Sequence, residues 1–115
     1  MNSNNFINYK EFEDVDIRIG TVIEAYEYNE LKKPSIILKI DFGEKIGIKK
    51  TSAQLQKYYK SDELINKQVI AVVNFKPKQI GKIISEVLVL GFPDNDNNPV
   101  LIMPSIKISN GGKLF

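Results

Sequence analysis

The sequence contains no cysteine and no histidine in its 115 residues. Without cysteine there is no disulfide, no thiolate metal ligand and no thiol nucleophile. Without histidine the chain lacks the commonest general base and the commonest metal ligand of proteins. These absences argue against catalysis, so we expect a protein that is not an enzyme, with no catalytic residues, no bound metal and no cofactor.

Long apolar runs and a secretory leader are also missing. The N-terminal stretch MNSNNFINYKEF has neither the basic start nor the apolar centre of a signal peptide. No apolar run approaches the roughly 20 residues of a membrane-spanning helix. We therefore expect one cytoplasmic domain over residues 1–115, without membrane insertion, in which 1–11 form an N-terminal arm and 104–115 a C-terminal tail.

Charge is distributed unevenly along the chain. Nine lysines lie between Lys45 and Lys82, where only Asp62 and Glu63 oppose them, which gives this part a net charge of +7 and the rest of the chain −5. Such a division predicts one face that attracts anions. A scatter of solvated lysines is an equally good explanation of the composition.

Alternating apolar residues predict an all-β chain. Strands are predicted near 15–25, 36–42, 45–50, 68–75, 85–92 and 100–103. The first is long and carries Gly20 at its middle, where a strand can bend. Thr51 and Gln54 have the spacing of a capping box and predict a helix start, and a second helical turn is predicted at 61–64. Five strands with a helix between the third and fourth are the arrangement of the OB-fold barrel.

The most informative segment is NFKPKQIGKIISEVLVLG, from 74 to 91. Its cationic half is predicted to be an irregular loop because it contains Pro77 and Gly81. In an OB-fold this loop borders the ligand face, and lysines beside aromatic side chains suit a nucleic acid. The cations are Lys76, Lys78 and Lys82, interleaved with Phe75 and Ile80, and Lys49 and Lys50 extend the patch. A solvated loop is the alternative.

The second half of this segment is apolar on both faces, with Val87 and Val89 alternating with Leu88 and Leu90. A barrel strand normally shows one face to the core and the other to water. The outward face is therefore expected to be covered, either by the C-terminal segment of the same chain or by a second copy in a symmetric dimer.

Four blocks of the sequence resemble the CsaA family, and they occur in order over residues 12–111. They are FEDVDIRIGTV, IGIKKTSAQL, LINKQVIAVVNF and SEVLVLGF. CsaA proteins are small bacterial and archaeal proteins built on a tRNA-binding OB domain, which is also appended to some aminoacyl-tRNA synthetases. The motif Asn-Phe-x-Pro-basic, followed by Ser-Glu, is matched by Asn74, Phe75, Pro77, Lys78, Ser85 and Glu86.

The resemblance implies a homodimer that binds tRNA-like RNA and also holds unfolded or export-bound polypeptides as a chaperone. The predicted RNA-binding residues are Lys49, Lys50, Asn74, Lys76, Lys78, Lys82, Ser85 and Glu86, of which Asn74, Ser85 and Glu86 are expected to shape the loop. The predicted peptide-binding residues are Phe75, Ile80 and Ile84. The resemblance implies a dimer interface that contains Phe6, Phe12, Pro104 and Asn110, and the apolar segment adds Val87 and Val89 to it.

Some positions depart from the family pattern. Gln79 stands where a second basic residue is usual, Lys82 where Gly is usual, and Ile84 where a basic residue is frequent. An acidic DNDNN loop replaces a Gly-rich one. The alternative that follows is a peptide-binding chaperone that has lost significant RNA binding.

Overall fold

The protein is described by a computed structural model that covers residues 5–30 and 32–115. Residues 1–4 of the predicted N-terminal arm lie outside the described residues. In chain order the elements are α1 (Tyr9–Glu13), β1 (Ile17–Tyr28), β2 (Ser35–Asp41), β3 (Ile48–Ala53), α2 (Ser61–Leu64), β4 (Gln68–Val72), β5 (Lys78–Ile80), β6 (Ile83–Ser85), β7 (Leu88–Val89), β8 (Gly91–Pro93) and β9 (Pro99–Leu101).

A curled antiparallel sheet with strand order β3-β2-β1-β4-β7 forms the body of the protein. The 12-residue strand β1 pairs with β2 through its C-terminal half and with β4 through its N-terminal half. One long strand therefore belongs to both halves of the barrel. This arrangement confirms the predicted all-β OB-fold class.

The bend in β1 comes from two features that act together. A β-bulge shifts the pairing register between Val22 and Glu24. At Gly20, an added Cβ would lie 2.6 Å from Cγ2 of Ile40, so only glycine lets β2 approach this closely. The bulge also changes which positions face the core, because Val22 before it lies in the core and Ala25 after it packs against the core.

The predicted helix start at Thr51 is wrong, because β3 begins later than expected and continues to Ala53. Leu38 and Thr51 are paired across β2 and β3, and both are buried. The Thr51 hydroxyl donates to the carbonyl of Val87 at 2.7 Å. Tertiary hydrogen bonding therefore overrides the local capping signal. The second predicted helical turn is present as α2, and its Leu64 is buried in the core.

The apolar segment 85–92 is broken into the end of β6, β7 and the start of β8 rather than forming one strand. Val87 is buried in the core and Val89 packs against it. Leu88 and Phe92 point outward and are exposed. Both valines therefore point into the barrel rather than toward a partner, and Leu88 and Phe92 are the apolar side chains that this segment leaves exposed.

The last strand, β9, pairs with β8 in a hairpin. Two tyrosines of the 56–60 segment hydrogen-bond to this hairpin. The Leu101 amide donates to the Tyr59 hydroxyl at 2.9 Å, and the Tyr58 hydroxyl donates to the carboxylate of Asp94. This second hydrogen bond is the largest of the causes that lower the pKa of Asp94 to about 2. The Asp94 carboxylate is therefore ionised at neutral pH, and its hydrogen bond to Tyr58 anchors the acidic turn.

The two termini are more ordered than predicted. Residues 9–13 of the expected arm form α1, which starts with a capping box between Asn8 and Glu11. The segment 108–114, here called the C-terminal strap, runs along the edge of β1 that β2 leaves unpaired. The Gly111 amide donates to the Ile19 carbonyl at 2.8 Å, and the Leu114 amide donates to that of Ile17 at 2.8 Å. The chain's own tail therefore covers this edge of the sheet.

Within residues 5–30 and 32–115, no helix is both long enough and apolar enough to cross a membrane.

Gly111 lets the strap approach the backbone of Phe42 closely, so its replacement should detach the strap. Gly111 has φ +94°, and an added Cβ would lie 2.5 Å from the backbone carbonyl oxygen of Phe42. Gly47 has φ +88°, but nothing lies within 4 Å of its would-be Cβ. Gly47→Ala is therefore the matched control, with only the backbone cost of about 1–2 kcal/mol.

We expect Gly111→Ala to lower the free energy of unfolding more than Gly47→Ala does in urea titrations. We also expect faster amide hydrogen exchange at Ile19, Gly111 and Leu114 in Gly111→Ala, with normal protection in β2. Equal destabilisation by the two substitutions would contradict a close strap contact.

Candidate nucleic-acid interface

The cationic segment is an ordered β-hairpin rather than the irregular loop that was predicted. Strand β5 pairs with β6, with Lys78 opposite Ser85 and Ile80 opposite Ile83. Gly81 and Lys82 form the two-residue turn, and Gly81 has φ +61°. A positive φ at the first turn position is what a type II′ hairpin requires, and glycine adopts it without strain. Gly81 therefore fixes the hairpin, and Lys82 is exposed at its tip.

Cross-strand partners in a hairpin point to the same face, and successive residues along each strand point to opposite faces. The two faces of this hairpin therefore carry different side chains. Lys78, Ile80 and Ser85 lie on the face that lines a cleft. Gln79 and Ile84 lie on the opposite face, where Ile84 is 51% exposed. Ile84 therefore does not line the cleft with Phe75 and Ile80, and its predicted contact with peptide would use the other face of the hairpin.

The cleft has a volume of about 420 Å³ and lies between the hairpin, β3 and the chain on either side of the hairpin. Its walls are formed by Ser52, Phe75, Lys76, Lys78, Ile80, Ser85, Glu86, Val87 and Leu88. The ring of Phe75 is 58% exposed, and Leu88 is similarly open to solvent. One cavity thus combines ammonium groups with an accessible aromatic ring and aliphatic side chains.

A dense set of hydrogen bonds, here called the barrel seam, joins residues 50–52 of β3 to residues 85–87. The Glu86 amide donates to the Lys50 carbonyl at 2.7 Å, and the Lys50 amide donates to Oε1 of Glu86 at 3.0 Å. The hydroxyl oxygens of Thr51 and Ser85 lie 2.9 Å apart. Ser85 therefore serves to close the barrel, and Glu86 does so with one of its two carboxylate oxygens.

Lys49 and Lys50 line a neighbouring depression of about 280 Å³, which shares Glu86 with the cleft. Lys39 lies there too and is paired with Glu24 at 3.4 Å. In the part of the chain that the structure describes, Lys49, Lys50, Lys76, Lys78 and Lys82 form no ion pair. The structure therefore brings four of these five lysines to the two adjoining depressions and leaves Lys82 at the hairpin tip.

Asn74, which was predicted to bind RNA, has its side-chain amide engaged in holding the N-terminal segment. Its Oδ1 accepts from the Asp16 amide at 3.0 Å, and its Nδ2 donates to the Asp14 carbonyl at 2.8 Å. Both polar atoms are thus used within the chain. Asn74 therefore anchors the entry into β1 beside the cleft, and its predicted part in RNA binding stays a prediction.

Ser52 and Leu88 belong to the cleft, although no motif singled them out. Ser52 lies there because β3 extends past Lys50, and Leu88 because it alternates with the inward-facing Val87 and Val89. Both placements depend on strand register. Only a correct prediction of the end of β3 would have found Ser52.

The predicted interface residues at the termini lie in different environments. Phe6 is 73% exposed, whereas Phe12 is partly buried, with its ring centroid 6.0 Å from that of Tyr9. Pro104 is partly buried. Asn110 accepts hydrogen bonds from Thr21 at 2.7 Å and from Gln68 at 3.1 Å. Asn110 therefore holds the C-terminal strap in place within the chain.

A family model described as "Putative tRNA binding domain" matches residues 17–113, which include the whole barrel and the cleft. Among curated proteins, the methionine–tRNA ligase of Pyrococcus horikoshii is 33% identical over 109 residues, 95% of this chain and 14% of the ligase. That of Nanoarchaeum equitans is 36% identical over 108 residues, 94% of this chain and 13% of the ligase. The chain thus spans about one seventh of these relatives.

Solved structures match over nearly the full chain. Chaperone CsaA from Bacillus anthracis is 44% identical with a TM-score of 0.89, covering 96% of this chain and 99% of that one. The CsaA chaperone protein from Picrophilus torridus is 48% identical with a TM-score of 0.88, covering 96% and 100%. These two likenesses extend to the segments that build the cleft.

Proposed function

This chain belongs to the tRNA-binding domain family, and on that premise we propose that it binds tRNA-like RNA in the cytoplasm through the cleft beside the β5–β6 hairpin. The observation that carries the proposal is the juxtaposition of Lys76 and Lys78 with the exposed ring of Phe75. The family match is to a binding domain and not to a catalytic one, which supports a non-enzymatic role.

The electrostatics of the cleft suit a single-stranded or looped RNA segment. Ammonium groups without an ion-pair partner in the described chain can neutralise phosphates and release their counterions. An accessible aromatic ring offers a stacking surface for an unpaired base. The lysines of the neighbouring depression extend the cationic surface beyond the cleft, which suits a ligand longer than one nucleotide.

The departures from the family pattern do not change the lining of the cleft, so they are compatible with RNA binding there. Gln79 and Ile84 are on the hairpin face that is turned away from the cleft. Lys82 adds a cation at the tip of the hairpin. The alternative of a chaperone without RNA binding would be favoured only if Gln79 and Ile84 lined the cleft.

A second function, the holding of unfolded or export-bound polypeptides, is favoured by the apolar side of the same cleft. Phe75, Ile80 and Leu88 form a continuous part of its lining, and two of these side chains are half exposed. Two solved structures that are 44% and 48% identical to this chain are described as chaperones. An extended apolar peptide segment could be bound there by burial of its side chains.

We further propose that the protein is a homodimer that associates through its termini. Large apolar side chains are exposed there, among them Phe6 (73%) and Ile106 (72%). A monomer rarely exposes so many apolar groups close together in sequence. Phe12 and Pro104 are included in the proposed interface, and Asn110 shapes it by holding the C-terminal strap.

The RNA proposal predicts that three lysines of the cleft and the hairpin tip matter more than three exposed lysines elsewhere. Lys76→Glu/Lys78→Glu/Lys82→Glu should weaken binding of labelled tRNA in fluorescence anisotropy by more than about tenfold and reduce the slope of log affinity against log salt by about 2–3. Lys57→Glu/Lys60→Glu/Lys67→Glu has the same change in net charge, and these lysines do not line the cleft. Comparable loss in both triple variants would mean that net charge alone drives binding.

The chaperone proposal predicts that Phe75→Ser weakens the holding of unfolded chains, whereas Ile84→Ser does not. The two side chains are similarly exposed, but only Phe75 lines the cleft. Burial of one large apolar side chain is worth about 1.5–3 kcal/mol, so roughly tenfold more Phe75→Ser protein should be needed to suppress client aggregation. Suppression should survive high salt. If Ile84→Ser is equally impaired, the cleft is not the holding surface.

The dimer proposal predicts a mass of about twice 13.1 kDa by multi-angle light scattering at micromolar concentration. The double variant Phe6→Glu/Ile106→Glu should reduce this mass to that of one chain, because four charges would be brought into the proposed interface. Ile84→Glu adds a charge to another exposed apolar site and should remain dimeric. A monomeric parent protein would refute the proposal.

A further inference from the structure

One side chain of the cleft has the wrong charge for a phosphate site. Glu86 lies where the cleft meets the neighbouring depression, with Lys76 and Lys78 on one side and Lys49 and Lys50 on the other. A carboxylate repels phosphate groups. Whatever part of an RNA lies against Glu86 must therefore present hydrogen-bond donors, which in RNA are carried by the bases and the 2′-hydroxyls.

Glu86 is held firmly enough to act as a recognition group. Its backbone amide donates to the Lys50 carbonyl at 2.7 Å, and its Oε1 accepts from the Lys50 amide at 3.0 Å. The barrel seam thus fixes both the backbone and the carboxylate. Each carboxylate oxygen has two lone-pair sites, so the group keeps the capacity to accept further hydrogen bonds.

The cleft also offers an aromatic surface next to this acceptor. Phe75 is accessible and lines the same cavity, and Ile80 and Leu88 form the remaining apolar wall. The volume of about 420 Å³ falls within the range of roughly 300–1,000 Å³ that is typical of small-molecule sites. An extruded base could therefore stack against Phe75 with its edge directed at Glu86.

The pattern of donors on the bases identifies which one fits. Guanine presents a ring N–H and an amino group side by side on its Watson–Crick edge, and these match the two oxygens of a carboxylate. Adenine and cytosine place one amino group beside a ring acceptor, and uracil places its N–H between two carbonyl acceptors. Each of these three directs at least one acceptor toward the carboxylate, which disfavours it.

We propose that the cleft is specific for an unpaired guanine, which stacks on Phe75 and donates two hydrogen bonds to Glu86, while Lys76 and Lys78 bind the flanking phosphates. This inference rests on the proposed RNA-binding function and adds a base preference to it. Glu86 is the residue that determines specificity, and the lysines supply affinity that does not depend on sequence.

The experiment compares labelled hexanucleotides by anisotropy at low salt: UUGUUU, UUAUUU, UUCUUU and UUUUUU, together with an inosine form of the first. A bidentate pair is worth roughly five- to hundredfold in affinity, so UUGUUU should bind at least about fivefold more tightly than the other three natural oligomers. Inosine lacks the amino group but keeps the ring N–H, so its affinity should be intermediate.

Glu86→Gln is the variant that isolates the carboxylate. Glutamine retains an acceptor for the Lys50 amide, so the barrel seam can still form, but its amide group no longer offers two acceptors. The preference for guanine over uracil should fall to within about twofold, because guanine can no longer donate two hydrogen bonds to this side chain. The parent base series does not depend on the variant and tests the inference even if the variant unfolds.

The outcomes separate this inference from the proposed function. Absence of binding for tRNA and for every hexanucleotide would overturn both. Salt-sensitive binding without a base preference in the parent protein would overturn the inference and leave the RNA function standing. If Glu86→Gln weakens only the binding of a lysine-containing unfolded peptide, the carboxylate recognises polypeptide and the guanine site is wrong.

Discussion

The barrel seam between β3 and residues 85–87 is the constraint on which the cleft depends. The sheet order leaves β3 at one edge and β7 at the other, so the barrel closes only if the chain before β7 reaches β3. The reciprocal hydrogen bonds between Lys50 and Glu86 make that closure. Thr51 reinforces it by donating to the Val87 carbonyl from within the core. A buried polar group of this kind is stabilising only when it is satisfied, and here it is.

Closure at this point also determines what the cleft presents. Because Ser85 and Glu86 are hydrogen-bonded to β3, the hairpin that precedes them is held in a fixed orientation beside the edge of that strand. Lys78 and Ile80 are then directed into the cleft, and Gln79 and Ile84 away from it. Val87 points into the core and Leu88 outward. The mixture of cationic and apolar groups is thus a consequence of how the barrel closes.

Sequence periodicity predicts the class of fold well, because the order of strands and the helix at 61–64 depend on local signals that the tertiary structure keeps. It fails at Thr51, where a capping signal competes with strand pairing and a buried hydrogen bond, and pairing is favoured. It does not locate the bulge between Val22 and Glu24 or the break within the 85–92 segment, because neither leaves a trace in the alternation.

The sequence predicted which segment supplies the cleft better than it predicted what each side chain does there. The segment 74–86 indeed supplies most of the cleft, and Lys76, Lys78, Phe75 and Ile80 line it. Asn74 and Ser85, which were expected to shape the loop, have side chains that hydrogen-bond to other parts of the chain. A sequence motif records that residues are needed together. It does not distinguish those that build a site from those that contact its ligand.

The same geometry constrains how two proposed ligands could share the protein. Phe75 is the most exposed apolar side chain of the cleft, and both base stacking and the burial of a peptide side chain require it. One cleft cannot accommodate both at once, so RNA and polypeptide would compete for each copy of the site. Their free energies differ in origin, because phosphate binding weakens with salt whereas apolar burial persists. Ionic strength would therefore shift the balance from RNA toward polypeptide without any change in the protein's conformation.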